Sequence, residues 1–146
     1  MYERILLATD GTSSSTEAEE HAIELAATLG STLHVISVVD ERIFGAYPGD
    51  EYIHEHEGLE EALVSEAEQT LDKVEERANR SDVEIATHLR HGDPVEEILK
   101  LIESEDADLA IVGTSEAEGS YSELLGSVAE RVAHRAQIPV LIVKSA

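Results

Sequence analysis

The sequence predicts a doubly wound α/β fold, and three observations predict it. Short apolar runs rich in branched residues recur along the chain, segments with apolar residues at helical spacing lie between them, and the two kinds alternate from one end to the other. Apolar strands joined by amphipathic helices imply a parallel sheet covered on both faces and built by right-handed crossovers.

Five strands are legible: "RILLAT" (Arg4 to Thr9), "TLHVISVV" (Thr32 to Val39), "VEIATHL" (Val83 to Leu89), "DLAIVG" (Asp108 to Gly113) and "IPVLIVK" (Ile138 to Lys144). Between the first two, Ala18, Ala22, Leu25 and Leu29 mark the inner face of a helix that Gly30 ends. A long acidic helix is expected from about Leu59 to Asn79. The third helix opens at "GDPVEE", with Asp93 as N-cap, Pro94 in the first turn and Glu96 at the capping-box position; Val95, Ile98, Leu99 and Ile102 form its stripe. A last helix, from Ser127 to Ala136, completes four. The segment from Asp40 to Glu57 reads as a long loop of the kind that forms lids. No repeat, low-complexity tract or linker divides the chain, so residues 1–146 read as one domain.

A formal charge of −22, from 10 basic and 32 acidic residues, repels nucleic acid and anionic membranes, both of which bind through Lys and Arg. Neither is an expected partner. Such an acidic coat suits a protein working in concentrated salt, where screening offsets self-repulsion. With no cysteine, disulfides and Cys-type zinc sites are excluded. No secretory leader pattern and no apolar stretch of membrane-spanning length is present, which leads us to expect a cytoplasmic protein.

In doubly wound sheets, ligands bind outside the carboxyl ends of the strands where strand order reverses. Strand one ends in "ATDGT", strand two in "VVDE" and strand four in "VGTS", so Asp10, Val38 and Gly113 are expected to face one crevice. Gly126 and Ser127 then open the last helix, whose free N–H groups and dipole favour an anion. Ser127 with Glu130 also reads as a capping box, a structural role compatible with that one. The cluster "HEHE", His54 to Glu57, reads as solvated, and His34 and His88 as packed residues within strands. No G-x-S-x-G elbow, Walker lysine motif or H-E-x-x-H is present, so no nucleophile or base stands out.

The opening "ILLATDGT", the "HGDPVEEIL" before the third helix and the ending "GSVAERVAHRAQIPVLIVK" resemble the universal stress protein family over essentially the whole chain. The resemblance implies an adenine-nucleotide α-hydrolase-like fold with strand order 3-2-1-4-5 and a homodimer paired through the last strand, here Val140, Leu141, Ile142 and Val143. It also implies, in nucleotide-binding members, a pattern of Gly, two residues, Gly, nine residues, then Gly followed by Ser or Thr. On this sequence the pattern falls on Gly113, then Glu116 in place of the middle glycine, then Gly126 and Ser127. The basic residue often found after the middle glycine is Ala117 here. The family's aspartate at the end of strand one matches Asp10, which would bind the ribose or a metal such as Mg²⁺ on the phosphates. Its adenine-recognising residue matches Val38, while Ala8, Val112 and Val128 lie beside the motif positions. The implied function is a stress-response module that binds ATP or another adenine nucleotide. Two alternatives stand beside it: a dimeric module that binds a protein partner and no nucleotide, since Glu116 replaces a motif glycine, and a slow metal-dependent ATP hydrolase.

Overall fold

The computed structural model describes residues 1–40, 53–114 and 120–144, with backbone alone at 14, 53–57 and 120–127. The strands are β1 (Arg4–Ala8), β2 (Thr32–Asp40), β3 (Ile85–Gly92), β4 (Leu109–Gly113) and β5 (Val140–Val143). The helices are α1 (Thr16–Leu29), α2 (Ile53–Arg80), α3 (Pro94–Ser104) and α4 (Ser120–Arg135), with a 3₁₀ turn over Ser13–Ser15. All pairings are parallel and the order is β3-β2-β1-β4-β5, as expected. The chain winds outward from β1 through β2 to β3, then crosses back to β4, so β1 and β4 flank the point where the winding reverses.

Strand alternation divides the core in two. Ile5, Leu7, Leu33, Val35, Leu109 and Ile111 point to one face and pack with Ala18, Ala22 and Ala26 of α1 and Leu71, Val74 and Ala78 of α2. Leu6, Ile36 and Ala110 point to the other and pack with Val95, Ile98, Leu101 and Ile102 of α3 and Val132 of α4. These runs are apolar on both faces because both are covered.

The helix ends follow local chemistry. Gly30 adopts φ 69° and closes α1 by donating its N–H to the Ala26 carbonyl. The Asp93 carboxylate accepts the Glu96 N–H at 3.2 Å, with Pro94 in the first turn. The other half of the expected capping box goes elsewhere: Glu96 accepts from Arg135 Nη1 at 2.5 Å, tying the start of α3 to the end of α4. Within α3 it is Leu101, not Leu99, that lies fully inside, and in α1 Leu29 is exposed while Ile23 and Ala26 are buried. β3 begins later than expected and runs on to Gly92, because β2 continues to Asp40 and offers it a partner there.

α2 begins at Ile53 instead of about Leu59, so the end of the expected Asp40–Glu57 loop is helical; His54 to Glu57 belong to this helix, and their side chains lie outside the described residues. Gly58 is inside the helix, with nothing within 4 Å of where a β-carbon would stand. An interior glycine costs about 1 kcal/mol, which lowers helix stability without ending the helix.

His34 is buried, and its Nδ1 and Nε2 of His88 on the adjacent strand share a hydrogen bond of 3.1 Å, with the rings stacked at 5.3 Å. Burial lowers the His88 pKa below its ordinary 6.5, with His34 and Arg90 acting the same way and Glu105 opposing them. A histidine harder to protonate folded than unfolded contributes stability that is complete above pH 6.5 and is lost as pH falls below it. The thermal midpoint is therefore expected to fall between about pH 7.5 and 5.5 by more in the wild type than in His88→Gln, which keeps a hydrogen-bonding group but does not titrate. Equal falls would mean that His88 does not contribute.

Candidate functional site

The carboxyl ends of β1 and β4 meet side by side, with Ala8 the partner of Val112 across the ladder and of Ile36 on β2. Side chains two residues apart on a strand share a face. Ala8 and Val38 therefore lie over the cluster that holds Leu6 and Ile36, and Val112 projects with them from β4. Val128 of α4 packs against the same cluster. Ala8, Val38 and Val128 thus pack on one apolar cluster on the α3/α4 side, beneath the strand ends, and the buried Val112 points to that side from β4. Gly113 ends β4 opposite Val143, and the Thr114 N–H continues the ladder to the Val143 carbonyl at 3.0 Å.

Asp10 leaves this mouth immediately beyond β1. Its Oδ1 accepts the Thr12 N–H at 2.9 Å, the Thr12 hydroxyl at 2.7 Å and the Ser15 hydroxyl at 2.6 Å. That oxygen is committed to shaping the turn into the 3₁₀ segment. Oδ2 has no bond among the described residues, and Asp10 is exposed. Two roles are therefore available to one side chain: Oδ1 turns the chain, and Oδ2 can meet a ribose hydroxyl or a metal ion, the role expected of this residue. A carboxylate oxygen is also a suitable hard ligand for Mg²⁺.

Gly11 takes φ 77°, and the helix α2 comes so close that a β-carbon there would stand 2.2 Å from Thr70 Oγ1. Glycine is required at this position by both the backbone and the neighbour.

The start of α4 differs from the expectation. The helix begins at Ser120, so Gly126 and Ser127 are inside it and Ser127 is not its N-cap. Backbone N–H groups within a helix bond to carbonyls four residues back, which leaves the unbonded, anion-favouring N–H groups in the turn at Ser120. The apolar period of Val128 and Val132 continues back through Leu124, and Gly126 interrupts it no more than Gly58 interrupts α2. Glu116 and Ala117 lie outside the described residues, as do the side chains of residues 120–127.

A group that sequence reasoning missed lies directly behind the turn. Glu19 of α1 is 7% exposed. Its Oε2 accepts the Thr9 hydroxyl at 2.6 Å, and its Oε1 accepts from Arg77 of α2 at 3.0 Å. The Thr9 oxygen in turn accepts the Gly11 N–H at 3.2 Å. The signal was the helical phase of Glu19, which matches that of the buried Ala22, Ile23 and Ala26 and not that of an outer face.

Residues 1–144 match the Universal stress protein family. A universal stress protein of Methanocaldococcus jannaschii is 38% identical over 144 residues, covering 99% of this chain and 83% of that protein. The solved structure of a second universal stress protein from that organism superposes with a TM-score of 0.85 at 27% identity, covering 100% of this chain and 98% of that one. A universal stress protein solved in complex with cAMP superposes with a TM-score of 0.71 at 25% identity, covering 99% and 98% of the two chains. The fold, the strand order and these matches over the full length establish that the chain belongs to the universal stress protein family.

Proposed function

We propose that this protein is a stress-response module that binds an adenine nucleotide, ATP with Mg²⁺ foremost, at the mouth between β1 and β4. The observation that carries the reading is the pairing of Ala8 with Val112 at the point where the winding reverses, with Asp10 leaving β1 at the same place. The apolar side chains of Ala8, Val38, Val112 and Val128 suit the apolar faces of a base and ribose. Oδ2 of Asp10 would take a ribose hydroxyl or the Mg²⁺. The phosphates would lie beyond Gly113, past Glu116, towards the unbonded N–H groups of the first turn of α4 at Ser120. The relative solved with cAMP supports an adenine nucleotide as the ligand class.

The same proposal includes a homodimer through β5. This strand is an edge of the sheet, and Leu141 on it is 39% exposed, which leaves unpaired backbone groups and an apolar side chain for a second copy. Among the described residues no helix is long and apolar enough to cross a membrane.

One preparation tests both parts. Light scattering in high salt is expected to give twice 15.9 kDa, and denaturing the protein is expected to release an adenine nucleotide detectable by mass spectrometry. A monomer at micromolar concentration rejects the β5 interface. No released nucleotide together with no heat on titration with Mg-ATP rejects the nucleotide reading and leaves a module that acts through protein partners.

A further inference from the structure

An unbroken chain of hydrogen bonds joins Glu19 and Arg77 to the turn that carries Asp10. Arg77 donates to Glu19, Thr9 donates to Glu19, and Gly11 donates to Thr9. A hydroxyl has one proton to give; because Thr9 gives it to Glu19, the lone pairs of its oxygen are left for Gly11. The direction of the Gly11 N–H, and with it the peptide plane between Asp10 and Gly11, is fixed by where Glu19 holds that proton.

α2 touches the same turn a second time. Thr70 lies against the α-carbon of Gly11, and its hydroxyl is held in place by the Glu66 carbonyl at 3.0 Å. Thr70 and Arg77 are two helical turns apart and so share one face of α2. One helix therefore presses on Gly11 directly and holds Thr9 through Glu19.

The charges matter as much as the geometry. A carboxylate as enclosed as Glu19 needs a partner, and losing that partner leaves an uncompensated charge. It would stand behind a turn meant to receive a polyanion, in a chain of net charge −22. The Arg77 side chain is 32% exposed, so the outer end of the chain of bonds reaches solvent.

We infer that Glu19 and Arg77 are a positioning clamp for the Asp10–Gly11 turn, coupling the seating of α2 to the affinity of the site for a magnesium adenine nucleotide. The ligand in this inference rests on the nucleotide reading above; the clamp itself does not.

The test uses the full chain and two charge-neutral double variants that differ at one point. Glu19→Gln with Arg77→Met keeps an acceptor for the Thr9 hydroxyl, whereas Glu19→Leu with Arg77→Met removes it. Amide hydrogen exchange at Gly11 and Thr12 is measured without ligand, and Mg-ATP affinity by calorimetry. The glutamine variant, which keeps the Thr9 acceptor but loses the tie to α2, is expected to fall between the wild type and the leucine variant in both measurements. The leucine variant is expected to exchange faster at these amides and to bind about tenfold more weakly, the scale of one net hydrogen bond. Arg77→Ala, which leaves Glu19 charged, is expected to lose at least as much, with part restored in Arg77→Lys. A purely stabilising pair would move the thermal midpoint but not the affinity or the local exchange. Equal exchange and equal affinity in the two double variants overturn the clamp. A wild type that binds no Mg-ATP overturns the nucleotide reading and the coupling, and the exchange comparison then still decides whether Glu19 fixes the turn.

Discussion

Gly11→Ala is expected to destabilise the protein by about 2–5 kcal/mol, from roughly 1–2 kcal/mol for a side chain at positive φ and 1–3 kcal/mol for overpacking. At roughly 3 °C per kcal/mol for a domain of this size, the thermal midpoint should fall by about 6–15 °C. The overpacking arises because the nearest atom is not the far end of a flexible chain. Thr70 is short and branched, its Oγ1 would stand 2.2 Å from the new carbon with Cβ and Cγ2 at 3.2 Å, and its hydroxyl is bonded to Glu66.

Gly30 supplies the control. It has a similar φ, 69°, with nothing within 4 Å of where a β-carbon would stand, so Gly30→Ala should cost the strain alone, about 1–2 kcal/mol. Thr70→Ala should recover part of the loss in the Gly11→Ala background. Thermal unfolding of the four proteins at one salt concentration is the measurement. If Gly11→Ala costs no more than Gly30→Ala, then α2 yields, and the close contact between helix and turn is not a constraint.

The sequence made the sheet legible because its inner strands β1, β2 and β4 are buried on both faces, and a continuous apolar run bounded by turn residues is hard to read otherwise. Its errors lie at the glycines. Gly30 ends α1 because its φ is positive, whereas Gly58 and Gly126 stand inside α2 and α4, just before the points where those helices were expected to start. A glycine alone does not show whether it adopts the left-handed conformation or merely weakens a helix; the difference is set by whether the apolar period continues beyond it. For α4 it does, through Leu124, and that moves the unbonded N–H groups from Ser127 to Ser120.

At the site, Ala8, Asp10, Val38 and Val112 could be placed from the ends of strands, since a parallel sheet brings those ends to one side. The engagement of Oδ1 of Asp10 by Thr12 and Ser15, and the Glu19–Arg77 pair, could not be placed in that way. The first depends on side-chain directions within a turn. The second joins residues on two helices far apart in sequence, and in a chain this acidic one more glutamate in α1 reads as part of the solvated coat.

Glu116→Gly is expected to raise the affinity for Mg-ATP by up to about two decades. A carboxylate about 5 Å from a phosphate charge, at an effective dielectric near 20, opposes binding by roughly 3 kcal/mol. Salt reduces that, since the Debye length falls to about 3 Å at 1 M, so the gain should be larger at low salt within the range where the protein stays folded. A cation that bridges Glu116 to a phosphate would reduce it further. The gain should depend on Asp10, and the bonds at that residue dictate how to show it. Asp10→Ala would remove the acceptor for Thr12 and Ser15 along with the ligand contact. Asp10→Asn keeps an oxygen to shape the turn and removes the charge that would hold Mg²⁺, so in the Glu116→Gly background it should cancel the magnesium-dependent part of the gain while leaving thermal stability unchanged. Calorimetric titration with ATP, with and without Mg²⁺, on the wild type, Glu116→Gly and the double variant is the measurement. Tight binding by the wild type would mean that Glu116 points away from the phosphates or is bridged to them by a cation. No binding by Glu116→Gly would mean that the segment between Gly113 and Ser127 does not receive phosphates, and the reading would pass to a module that binds protein partners.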